Sequence, residues 1–70
     1  MYYQHMSRHH RKPKSLGGNG HPRNISVVNA TDHMAWHRLF KNGTPYEIAN
    51  KINETWLDPD YVLVVQRRKP

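Results

Sequence analysis

Apolar positions crowd towards the C-terminal side of this 70-residue chain: five lie before Asn24 and twenty after it. Residues 2–11 read as an extended segment ending before Pro13, and the glycines at 17, 18 and 20 mark a loop. The β-branched run at 25–28 predicts a short strand. Thr31 then has the character of an N-cap, with Asp32 favourably placed in the first turn, so a helix is expected over 32–42 with Gly43 as its C-terminal stop. Trp36 and Phe40, with Ala35 and Leu39 beside them, are its packing residues, expected on the face opposite His33 and His37. Thr44, Pro45 and Glu47 form a capping box with proline at the first helical position, a strong start signal for a second helix. Ile48, Ile52 and Trp56 recur at i, i+4 and i+8 along it and are expected to pack on helix one and on a C-terminal strand. Asp58, Pro59 and Asp60 make a turn, and Tyr61 to Val65 predict that strand, pairing with the N-terminal segment before a basic tail. The result is a single α+β domain over 1–70, ordered β-loop-β-α-α-β.

Charge divides along the same line as the oil. Residues 1–24 carry five basic groups and no acidic one, whereas 25–70 carry six basic and five acidic groups. Taken alone, that pattern fits a disordered basic arm on a small folded body. The net charge of +6 favours an anionic partner, with nucleic acid ahead of a membrane surface. No stretch reaches the roughly 18 to 20 apolar residues that span a bilayer, and no apolar run follows the first charges as in a secretory signal. No membrane role and a cytoplasmic location are therefore expected, an origin in a phage or mobile element being compatible with the small size. A chain this short gains little stability from its core and usually needs a staple. With no cysteine and six histidines, imidazole-bound metal is the staple that the composition leaves.

His33 and His37 stand four apart on the expected helix, so one face can present both to a single ion. His9 and His10 are neighbours in an extended segment, where successive side chains face opposite ways. One can reach a metal while the other faces a substrate. His5 and His21 have no assigned task, but either one joining the ion would close its coordination and make the site structural.

The ordered set His9, His10, Pro13, Gly17, Gly18, Asn24, Ile25, His33 and His37 resembles the HNH, or His-Me finger, nucleases, whose active site is a ββα-metal unit. Within that family it is most similar in pattern to the colicin-type DNases. The resemblance covers about residues 8–38, and residues 44–68, the expected C-terminal helix and strand, lie outside it.

The resemblance implies a metal-dependent endonuclease that hydrolyses phosphodiester bonds in DNA, most simply double-stranded, with little sequence preference of its own. It implies His9, His33 and His37 as metal ligands, His10 as the general base on water, and Asn24 as the residue that orients it. Arg8, beside the pair, would meet the phosphate or the transition state. Arg11, Lys12, Lys14, Arg23 and Arg38 would contact the nucleic-acid backbone, giving sequence-independent, salt-sensitive affinity. Three imidazoles favour Zn, Ni, Co or Mn over the oxygen-seeking Mg, which stays in consideration because family members with an Asp ligand use it. A larger protein partner supplying specificity is compatible with so short a chain. The competing reading is a non-catalytic, metal-stapled nucleic-acid-binding module built on the same ββα finger.

Overall fold

The computed structural model describes residues 5–69. Strand β1, Met6–His10, pairs antiparallel with β2, Ile25–Asn29, in a two-stranded sheet with His9 opposite Ser26 and His10 opposite Ile25. Helix α1, Ala30–Phe40, follows β2 directly, and α2 covers Pro45–Lys51. The chain is therefore a small α+β protein, with the strand-strand-helix order expected from the sequence.

Between the strands, the loop is built from two 3-10 turns, at Lys14–Leu16 and Pro22–Asn24. Gly17 closes the first at φ 91°, a left-handed value that glycine adopts without a Cβ penalty. A Cβ on Gly18 would overlap the Lys12 carbonyl and stand 2.9 Å from the Pro13 oxygen, so only glycine fits the close approach there. The described part of the supposed basic arm is thus strand β1 followed by a folded loop, residues 1–4 of it lying outside the described residues.

Several boundaries differ from expectation. Asn29, not Thr31, caps α1: its side chain accepts from the backbone of Thr31 at 2.8 Å and Asp32 at 3.4 Å. The helix also ends early, because Lys41 turns to φ 51° while its N–H still donates to His37 O at 2.9 Å. Helix α2 starts as expected, with the reciprocal bonds of the Thr44–Glu47 capping box in place. Those bonds hold the Glu47 carboxyl below its ordinary pKa, and Lys51 Nζ donates to Leu39 O at 2.7 Å.

The stripe of α2 is broken by a π-helical turn at Ile52–Trp56, where Leu57 N–H donates to Ile52 O at 2.8 Å. A π turn is wider than an α turn, so Trp56 rotates off the line of Ile48 and Ile52 and stands 62% exposed. The expectation that it packs inward is corrected. The expected C-terminal strand is corrected too: residues 61–69 form no ladder. Asn53 takes the place of a neighbouring strand, its Oδ1 accepting from Leu63 N–H at 2.8 Å and its Nδ2 donating to Leu63 O at 3.0 Å. One side-chain amide satisfies one residue of backbone, and the rest of the run stays unpaired by any strand.

No described residue is fully withdrawn from solvent, so Trp36, Phe40, Ile48 and Ile52 form only a half-buried cluster. Trp36 and Phe40 lie tilted against each other, ring centres 4.6 Å apart.

Candidate metal centre

The sheet register and α1 converge on three imidazoles. Alternation along β1 turns Ser7 and His9 to α1, where His33, Trp36, His37 and Phe40 fall at i, i+3, i+4 and i+7 on one stripe. Trp36 is therefore on the histidine face, not opposite it, and its ring meets His9 edge-on at 5.8 Å. His9 meets His33 at 5.1 Å and His37 at 5.9 Å, also edge-on, and the rings of His33 and His37 are 4.6 Å apart.

One ligand nitrogen from each of His9, His33 and His37 lies within 4.8 Å of the other two, close enough to hold a metal ion. Among the described residues, neither His5 nor His21 joins this cluster. His21 instead caps the second 3-10 turn, its Nδ1 accepting from Arg23 N–H at 3.1 Å.

The polar atoms fit a cation. His33 Nδ1 hydrogen-bonds Ser7 Oγ at 2.6 Å and its Nε2 stands 2.9 Å from His37 Nε2. With Nδ1 engaged by the hydroxyl, His33 turns its Nε2 towards the shared centre, the arrangement that metal-ligating histidines use to fix tautomer and orientation. His9 Nδ1 is buried with no hydrogen-bond partner, a cost that a buried nitrogen bears unless something binds it. Burial first, then the nearby His33, His37, His10 and Arg11, lower the pKa of His9, which favours the neutral form that ligation requires.

The cluster opens on a cleft of about 400 Å³. Arg8, His10, Arg11, Lys14 and Lys41 line it together with the three histidines, and no Asp or Glu does. A second basic groove, bordered by Arg11, Lys12, Arg23 and Arg68, shares Arg11 with the first.

The remaining expected residues separate into those that border this site and those that do not. Arg8 and His10 are on β1, opposite Val27 and Ile25. Asn24 does not touch the histidines by any hydrogen bond. It pins the loop instead: Oδ1 accepts from Lys12 N–H at 2.7 Å, and Nδ2 donates to Lys12 O at 3.1 Å and Asn19 O at 2.8 Å. Its own carbonyl accepts from Arg11 N–H at 2.7 Å, next to His10. Lys12 and Arg23 belong to the second groove, and Arg38, although adjacent to His37 on α1, lines neither.

Ser7 and Lys41 border the site without having been expected there, and Trp36, expected on the opposite face, borders it too. Ser7 and Trp36 had a usable signal, namely period two from His9 and period 3.6 from His33.

Comparison with protein-family models, with curated proteins and with solved structures returns no match.

Proposed function

We propose that this chain is a metal-dependent endonuclease of the HNH, His-Me finger, kind, hydrolysing phosphodiester bonds in DNA with low intrinsic sequence specificity. One observation carries the reading: a three-imidazole cluster faces a cleft lined by four cationic side chains and a fourth histidine, with no carboxylate. Such a lining repels cationic and attracts anionic ligands, and a phosphodiester is an anion whose hydrolysis needs a base.

His9, His33 and His37 would hold the ion, which when bound supplies Lewis-acid stabilisation of phosphate charge. Zn, Ni, Co and Mn suit three nitrogens better than Mg. His10 takes the proton from the attacking water. Arg8 and Lys14 bind the phosphate oxygens, and Arg11, Lys12 and Arg23 carry the flanking backbone. Asn24 is a positioning residue in this scheme, keeping the loop end beside His10 in register through its bonds to Lys12 and Asn19. Arg38 contributes at most to the outer backbone field.

The test is incubation of purified protein with supercoiled plasmid in Mg, Mn, Ni, Co or Zn. Nicks that disappear in His10→Ala, with metal binding retained, support the assignment. Intact plasmid under every ion ends it.

The second reading, a metal-stapled binding module without catalysis, draws on the absence of any fully buried residue among those described. A chain without a dry core gains most from a staple. It differs in outcome: duplex binding that depends on metal, with no cutting.

A further inference from the structure

Lys41 occupies a backbone conformation that the neighbouring sequence could have avoided. Its φ of 51° and ψ of −134° are close to the first central position of a type II′ turn, which is dominated by Gly, Asn and Asp. The turn runs from Phe40 to Gly43, whose N–H donates to Phe40 O at 3.1 Å. Asn42 and Gly43, both better suited to positive φ, come next, and among the described residues Lys41 is the one non-glycine at positive φ. A strained residue persists where its surroundings over-determine it, and such residues cluster at ligand sites.

Three facts tie this one to the cleft. Lys41 N–H donates to the carbonyl of His37, so the strained residue is fixed to the turn that carries a candidate ligand. Lys41 lines the same cleft as the three imidazoles. Of the cations that line that cleft, Arg8, Arg11 and Lys14 come from β1 and the loop after it, and Lys41 comes from the C-terminal end of α1. An anion in the cleft thus meets positive charge supplied by two separate parts of the fold.

We propose that Lys41 is a phosphate-gripping residue of the substrate site, placed at the cleft wall by its strained backbone. The inference rests on the phosphodiester reading above and adds a residue that neither the motif nor the expected contacts included. An ammonium on a long stem suits this role, since it follows a phosphate without a fixed bidentate geometry.

The experiment compares Lys41→Gly and Lys41→Gln with unsubstituted Lys41, all in a zinc-loaded His10→Ala background that leaves a 20-base-pair duplex uncut. Lys41→Gly relieves the backbone and removes the charge; Lys41→Gln removes the charge alone. Both are expected to bind the duplex about fivefold more weakly at 0.15 M salt, with the salt slope reduced by about 0.9, the share of one phosphate contact. Zinc affinity should stay unchanged, and only Lys41→Gly should melt at a higher temperature. Unchanged duplex affinity and salt slope in both variants would overturn the role of Lys41 while leaving the nuclease reading in place. A lower melting temperature for Lys41→Gly would overturn the strained placement. Absence of any duplex binding by the Lys41 protein would overturn both readings together.

Discussion

At the scale of single residues, the site depends on which nitrogen each imidazole offers. Ser7 Oγ engages Nδ1 of His33 and leaves Nε2 for the shared centre. Ser7→Ala removes that partner without touching a ligand, and outer-shell losses of this kind typically cost about 10- to 100-fold in metal affinity. A competition titration with a chromophoric chelator reads the loss directly. His9 gives a pH dependence with a definite sign. Its folded pKa lies below the usual 6.5, so the unfolded chain takes the proton first as pH falls. The stability contribution is complete above about pH 6.5 and is lost as pH drops through the folded value. Urea midpoints of the metal-free protein should therefore hold steady above neutrality and fall on mild acidification, whereas in a His9→Gln variant that part of the fall should be absent. Metal affinity should fall over the same interval, because ligation competes with protons for the same nitrogens.

At the scale of elements, local signals were informative for the start of α2, although they misplaced the N-cap of α1, which is Asn29. The Thr44, Pro45, Glu47 pattern specified the start of α2 because a capping box satisfies its own donors within four residues. Thr44→Ala should cost about 0.5 to 2 kcal/mol, read as a shift in urea midpoint, since it exposes an unpaired helix N–H. Acid should weaken the same cap below the ordinary carboxylate range, as Glu47 protonates and loses its bond to Thr44 N–H. Three other positions misled. Gly43 looked like the stop of α1, yet Lys41 takes the positive φ two residues earlier. Trp56 fitted an α-helical stripe, but a π turn intervenes. The run from Tyr61 to Val65 had strand composition and found no sheet edge, because Asn53, distant in sequence, holds Leu63. The first two are local backbone choices, held by Lys41 N–H on His37 O and Leu57 N–H on Ile52 O, and the third is a contact between separate segments; hydrophobic periodicity encodes none of them. The loop shows the converse: Gly18 was legible as a loop glycine, though its reason, the Lys12 carbonyl against it, was not. Gly18→Ala should destabilise by about 1 to 3 kcal/mol through the forced backbone shift, with Gly20→Ala, which meets no atom within 4 Å, as the silent control.

At the scale of the whole molecule, four of the basic side chains and the three clustered histidines line one cleft. Half-buried packing leaves the fold dependent on whatever ties β1 to α1, and the three imidazoles lie at that junction. Metal binding is thus expected to report as folding energy: at free metal 100-fold above Kd the gain is about 2.7 kcal/mol. For a chain of this size, that gain corresponds to a melting-temperature rise of about 10 to 20 °C, reversed by chelator. The grouping of His9 with His33 and His37 was implied by the family resemblance, and it is the pairing of β1 with β2 and the packing of α1 on them that bring the three together. The cleft's charge was only half legible, since Lys41 and Arg68 reach their grooves through the end of α1 and the C-terminal segment. The central claim is that three protein nitrogens hold the ion and leave it open to an exogenous oxygen. X-ray absorption at the zinc edge of the zinc-loaded protein tests this most directly. Three imidazole nitrogens with at least one non-protein oxygen are the expected first shell; four imidazole nitrogens and no oxygen would contradict the account.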